Sequence, residues 1–231
     1  NPSASILASG SEDGKIRLSD LQKQALIRTL SGRPNRLRSI AFSQDGKMLA
    51  SGGGDRTVNL WNVSTGKLLH KLKQHQSTVW SVAWMPKGDV VASGSEDGTI
   101  KLWHGATGTL RQTINPSEGA VRAIALAPDG KTLVSAGVAK RITVWDVDKG
   151  KDTLTLEGHT NRVLALAISK NGEQLASGSA DKTIKIWNLR DGKLLRTLSQ
   201  SLDAVQTLSF RSDNRTLVSG TGVSAQVWDV Q

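Results

Sequence analysis

Two trios of residues have the types that hydrolases use for nucleophilic catalysis. They are His75, Ser93 and Asp97, and then His159, Ser177 and Asp181, the second set 84 residues after the first. A serine activated by a histidine that an aspartate orients can attack an acyl carbon. A second stretch, DVDKGKDTLTLE at 146–157, sets Asp146, Asp148, Asp152 and Glu157 at positions one, three, seven and twelve of a calcium loop. Position six is Lys151 where that loop needs glycine, and a cation there opposes Ca²⁺. Residues 152–157 also read as an extended strand, which carries Glu157 about 16 Å from Asp152 at ~3.3 Å per residue. Another copy of the same turn reads NVSTGK, so these acids are not a calcium set.

Composition removes further chemistries. There is no cysteine, which excludes disulfides, thiolate metal sites and cysteine catalysis. No phosphate-binding glycine loop and no metal-ligand cluster is visible, so neither a cofactor nor a metal is expected. Lys plus Arg is 30 against 20 for Asp plus Glu, a net charge of +10 that favours acidic partners, nucleic acid included. The opening NPSASILASG has neither the basic stretch nor the apolar core of a signal peptide. No run approaches the ~18 apolar residues of a spanning helix. The expected compartment is the cytoplasm, with no membrane partner.

The elements that must position these residues follow from a period. Trp61, Trp103, Trp145, Trp187 and Trp228 are spaced by 42, 42, 42 and 41 residues. One step before Trp61 stands Ser19, in KIRLSDL, which has the shape of TIKLWHG with the tryptophan lost. Phe42, Trp84, Leu126, Ile168 and Phe210 keep the same beat. Periods of this size signal stacked or radial repeat architectures. Within each period the runs are short and rich in β-branched and small residues, as in VWSVAW, VVASGS and TIKLW. Asp45-Gly46, Asp129-Gly130 and Asn171-Gly172 are hairpin dipeptides. The spacing predicts four strands per period; in the third, a spans about 79–85, b 89–95, c 99–103 and d 108–114. The fold class is all-β, with repeats at about 1–30, 31–72, 73–114, 115–156, 157–198 and 199–231 in one domain, 1–231.

On Gly158-His159, Trp145-Asp146, Trp228-Asp229 and Ser93-Gly94 with Asp97, the chain resembles the WD-repeat β-propellers along its whole length. The resemblance implies four-stranded antiparallel blades. It also implies a buried network in each well-kept blade: a His before strand a, a Ser in b, an Asp in the b–c turn and a Trp in c. The third repeat supplies His75, Ser93, Asp97 and Trp103; the fifth supplies His159, Ser177, Asp181 and Trp187. Elsewhere the set decays. The second repeat has Arg33 at the His place, the fourth has Ser117 and Ala139, the sixth has dropped a turn residue, and the first has Ser19 for Trp. Blades one, four and six are therefore expected to be the softest. On this reading both trios are structural, because a duplicated buried network has no access to substrate. Of the remaining histidines, His70 falls in a d strand and His104 at the Asp place of the WD dipeptide, so no general base is evident and the chain is expected not to be an enzyme.

The phase places Asn1-Pro2 at an a–b turn and ends VWDVQ after a c strand. The first blade then lacks a and the last lacks d, which leaves 22 strands. Contiguous residues upstream would complete six blades, and one more period would give seven. The chain is thus expected to be the C-terminal part of a propeller, truncated at its start and prone to self-associate through open edges. In a five-blade alternative, Ala25–Leu30 serves as the last d strand. The agreement among repeats also resembles bacterial WD-repeat proteins, in which the propeller often trails a signalling kinase or ATPase domain.

The family builds its top face largely from residues three and five after the His place and from the residue before the turn Asp. By phase these include Arg36 and Arg38 in the second repeat, and Thr78, Trp80 and Glu96 in the third. Arg122 follows in the fourth, Arg162 in the fifth and Gln206 in the sixth, with Glu12 added from the first. Trp and Arg are the residues most often found as binding hot spots, and Arg grips carboxylate or phosphate in a bidentate way. The expected function is a scaffold for other proteins, or for a domain of the same longer chain, whose top face binds acidic or phosphorylated segments. Two other outcomes are that Trp80 only packs between blades, and that the general charge serves nucleic acid. Against nucleic acid, stacking aromatics are few, with no Tyr and two Phe.

Overall fold

The computed structural model describes residues 5–31, 36–86, 89–116, 119–199 and 201–230. Its backbone divides into two compact units, Asn1–Pro116 and Ser117–Gln231. The regular elements of the described residues are all β-strands, arranged as antiparallel meanders. No helix among them is long and apolar enough to cross a membrane.

The first unit holds three sheets. One contains β1 (Ile6–Gly10), β2 (Lys15–Asp20) and β3 (Ala25–Ser31). The next contains β4 (Leu37–Phe42), β5 (Met48–Gly53), β6 (Val58–Asn62) and β7 (Leu68–Leu72). The third contains β8 (Val79–Trp84), β9 (Val90–Ser95), β10 (Ile100–His104) and β11 (Leu110–Ile114). The second unit also holds three. They are β12 (Val121–Leu126), β13 (Thr132–Gly137), β14 (Ile142–Asp146) and β15 (Lys151–Leu156); β16 (Val163–Ile168), β17 (Gln174–Ser179), β18 (Ile184–Asn188) and β19 (Leu194–Leu198); and β20 (Thr207–Phe210), β21 (Thr216–Gly220) and β22 (Ala225–Asp229). These six sheets are the blades of a β-propeller type of fold, four-stranded except for three-stranded blades at either end. Among the described residues, the 22 strands and their 3, 16, 3 distribution match the phase of the repeats. The five-blade alternative fails: β3 pairs with β2, Leu30 opposite Ile16, and stays in the first blade.

Burial explains the composition of each strand. Every residue of β9 is buried, and so is most of β5, β10, β13, β14 and β17, whereas β7 and β19 are largely exposed. The b and c strands of the four middle blades are therefore buried on both faces, which is why they read as continuous apolar and small runs with no clean alternation, whereas β1 and β22 in the end blades are largely exposed. Strand d faces outward. Four apolar clusters, two in each unit, sit between successive blades, for example Val58, Leu60 and Leu72 against Val79, Val82 and Trp103. The glycines of Ser9-Gly10, Ser51-Gly52 and Ser177-Gly178 are spacing devices. A Cβ on Gly52 would stand 2.6 Å from Val79 Cγ1, and one on Gly178 would strike Val205. Any side chain there would push the next blade's first strand away. The a–b turns have the left-handed residue that their dipeptides announce, with φ of 69° at Gly46, 71° at Gly130 and 77° at Gly172.

Candidate functional site

Both trios assemble, and both are sealed. In blade three, His75 Nδ1 lies 2.9 Å from Asp97 Oδ2 and Nε2 lies 2.8 Å from Ser93 Oγ. Trp103 Nε1–H donates to the same Ser93 Oγ at 2.8 Å. Blade five repeats the geometry, with His159 at 2.8 Å from both Asp181 and Ser177, and Trp187 donating to Ser177 at 2.8 Å. The connectivity Asp–His–Ser is that of a hydrolase triad, but Ser93 and Ser177 are wholly buried and each hydroxyl already accepts a tryptophan N–H. Neither can meet a substrate carbonyl. What the arrangement does is give the buried His, Ser and Trp side chains of each set their partners, tying the turn before strand a to strands b and c.

The sequence reading missed one member of this network. Thr99 and Thr183 hydroxyls donate to Asp97 and Asp181, each at 2.6 Å. Blade two does the same with Thr57 and Asp55 at 2.8 Å. The signal was available as Asp-x-Thr in DRT, DGT and DKT. In blades two, four and six the Trp–Ser bond persists, from Trp61 to Ser51, Trp145 to Ser135 and Trp228 to Ser219. The His places at Arg33 and Ser117 lie outside the described residues. In blade two, Lys71 Nζ stands 3.4 Å from Asp55 and supplies a positive partner there. Asp146 of the calcium-like stretch caps its own turn, accepting the Asp148 and Lys149 N–H groups, and pairs with Lys149 Nζ at 3.1 Å.

The networks make stability pH-dependent. Burial disfavours the imidazolium of His75 and His159, and this outweighs the pull of Asp97 and Asp181, so both titrate below the ordinary 6.5. Burial also works against the two carboxylates. The Thr hydroxyls, the Gln76 and Thr160 N–H groups and the histidines overcome it and hold both at about 2 instead of 3.8. Below pH 6.5 the unfolded chain binds protons that the folded histidines refuse, so stability falls as pH falls through that window. A second loss follows between about pH 4 and 2, as the carboxylates protonate. Thermal melts should show a flat Tm above about pH 7 and a decline below 6.5; a Tm that rises on acidification from 7 to 5 contradicts this.

The top-face columns are brought together by main-chain bonds that recur four times. Glu96 N–H donates to Thr78 O at 2.9 Å, Gly54 to Arg36 at 3.2 Å, Val138 to Ala120 at 3.2 Å and Ala180 to Arg162 at 3.0 Å. Each pins the residue before the turn-Asp place, which is Ala139 in blade four, to the residue three after the His place. The residue five after that place is a β-bulge in four blades. The register skips Arg38 between Leu37 and Ser39, Trp80 between Val79 and Ser81, Arg122 between Val121 and Ala123, and Leu164 between Val163 and Ala165. A bulge frees one residue from the ladder and re-aims its side chain, here toward the edge that holds the b–c turns.

In the first unit this edge is built from residues of three blades. The Arg38 guanidinium lies 4.8 Å from the Trp80 ring centre, and it reaches Glu12 at 3.3 Å. Trp80 Nε1–H donates to Glu96. Arg36 is exposed, with a φ of 43°. In the second unit Arg162 and Gln206 are exposed, and Arg122 is partly covered. Trp80 is therefore neither a bare apolar anchor nor a core residue: one face carries a cation and its polar edge is fixed.

Comparison with known proteins agrees with this architecture. The family described as WD domain, G-beta repeat matches residues 66–104, 108–146 and 150–188, just over half of the chain. Each match ends one residue past a network or WD-column tryptophan. Residues 1–79 are similar to the anaphase-promoting complex subunit 4 WD40 domain. No curated protein matches the chain. The chain belongs to the WD domain, G-beta repeat family.

Proposed function

We propose that this chain is a non-catalytic protein-interaction scaffold whose top edge grips acidic or phosphorylated peptide segments. Propellers of this family serve in general as platforms for other proteins. The observation that supports the finer reading is the Glu12–Arg38–Trp80 stack. The Trp80 ring carries the guanidinium over it, and a carboxylate already sits against that cation. That carboxylate belongs to a side chain 73% exposed, and an exposed pair of this kind is worth about 0–1 kcal/mol. An incoming carboxylate or phosphate can take its place at little cost, and phosphate brings more charge to the same fork. Glu96 fixes the indole, Thr78 offers a polar contact and Arg36 adds positive charge in the same unit; Arg122, Arg162 and Gln206 stand at the corresponding places of the second unit's blades. The basic surplus of +10 acts in the same direction at longer range.

Fluorescence anisotropy tests this with a labelled Glu-rich peptide, a phosphoserine version of it and a Lys-rich control. The wild-type chain should bind the first two, the phosphorylated one more tightly, and not the third. No binding of either acidic peptide, or equal binding of all three, overturns the proposal.

A further inference from the structure

Inside each unit, successive blades are fastened along their outer side by one column of the d strands. Arg28 on β3 donates to Thr65 O in the c–d turn of the next blade. His70 Nε2 on β7 lies 2.9 Å from Ala106 O, and because a carbonyl only accepts, that nitrogen carries the proton. Arg196 on β19 donates to Asp229 O at 3.1 Å. The remaining junction within a unit joins blades four and five. There the column holds Leu154 on β15, which has nothing to donate.

At that junction a groove of about 860 Å³ opens, within the size range of ligand sites. Leu154, Leu189 and Leu195 give it apolar walls, and Val144 lies in its floor. Its inner end is the pair of a–b turns carrying Asp129 and Glu173; Arg190 enters from the c–d turn. Gln174 also lines the groove, with its Oε1 buried beneath the surface and without a hydrogen-bond partner. Glu173 gives one carboxylate oxygen to Asn171 Nδ2 at 2.7 Å and keeps the other.

We propose that this groove is a second binding site, and that its occupant is a short extended protein segment with an apolar side chain beside an Arg or Lys. The apolar side chain fills the space among Leu154, Leu189 and Leu195. The cation meets the exposed Glu173 carboxylate, and Arg190 offers donors to the segment's carbonyls. The preference is opposite in sign to that of the top edge, and it does not depend on the function proposed there.

The probes are the capped peptides acetyl-Leu-Arg-Leu-amide and acetyl-Leu-Glu-Leu-amide, followed by amide chemical shifts of the full chain. The Arg peptide should move the signals of Gly172, Gln174 and Leu195, and the Glu peptide should bind at least about tenfold more weakly, since charge complementarity penalises like charges. Leu154→Arg supplies the donor found at Arg28 and Arg196, and should close the groove and weaken binding at least tenfold with the fold intact. Glu173→Lys, on an exposed turn, should also weaken it and keeps the test decisive if Leu154→Arg does not fold. Trp80→Ala/Arg162→Glu should leave these shifts unchanged. Absence of shifts at millimolar peptide, equal binding of both peptides, or indifference to Glu173→Lys would overturn the proposal.

Discussion

Ser93→Ala should destabilise the chain by about 2–5 kcal/mol, and Ser177→Ala by a similar amount, measured by chemical denaturation. Each substitution removes a hydroxyl that serves two buried neighbours at once: the Trp103 or Trp187 N–H, and the Nε2 of His75 or His159. A buried polar group left without a partner costs about 1–3 kcal/mol, and here two are orphaned. The internal control is the same change elsewhere. Ser51 and Ser135 each accept only a tryptophan N–H among these groups, so Ser51→Ala and Ser135→Ala should cost about 1–3 kcal/mol. The difference between the two classes measures the histidine's share. Equal costs in all four would mean that the His–Ser bond contributes nothing and that the network is only a Trp–Ser pair.

Trp80→Ala combined with Arg162→Glu should weaken acidic-peptide binding by about 100-fold or more. Truncating a hot-spot tryptophan typically costs about 2 kcal/mol, and each 1.4 kcal/mol is tenfold in Kd. Trp80 acts twice, as contact surface and as the shelf that holds the Arg38 guanidinium in place. Reversing the charge at exposed Arg162, at the corresponding column of the second unit, adds repulsion toward any acidic ligand. The fold should survive, because Trp80 stands at a bulge outside the regular ladder and Arg162 is exposed. A thermal melt checks that, and the paired binding curve decides the rest. Binding within about threefold of wild type, with an unchanged melt, would remove Trp80 and Arg162 from the site.

The blade architecture was legible because each strand repeats its own physical constraint. The Trp column marks strand c, serine–glycine marks the close approach of the next blade in b, and Asp-Gly or Asn-Gly marks the a–b turn. The networks at His75 and His159 were legible for the same reason, since a partner set that must be complete recurs as a set. Thr99 and Thr183 could have been read from Asp-x-Thr and were not. The bulge at Arg38, Trp80 and Arg122 could not, because register is a property of two strands together and each strand alone shows an ordinary alternation. The stack of Arg38 on Trp80 joins residues 42 apart on adjacent blades, and no local pattern announces it. Leu154 looked like any d-strand leucine; it acquires meaning only beside the carbonyls that Arg28, His70 and Arg196 reach.

The most direct test of the scaffold reading compares two ligands on nuclease-treated protein at low and at high salt: the phosphoserine peptide and a single-stranded DNA oligonucleotide. Phosphate-backbone binding collapses with salt because it is driven by counterion release, whereas contacts centred on a held Arg–Trp pair retain much of their strength. The account predicts that the peptide stays bound at high salt, that the oligonucleotide is lost, and that Trp80→Ala/Arg162→Glu removes the peptide alone. Oligonucleotide binding stronger than peptide binding at both salts, and insensitive to Trp80, would contradict it and assign the basic charge to nucleic acid.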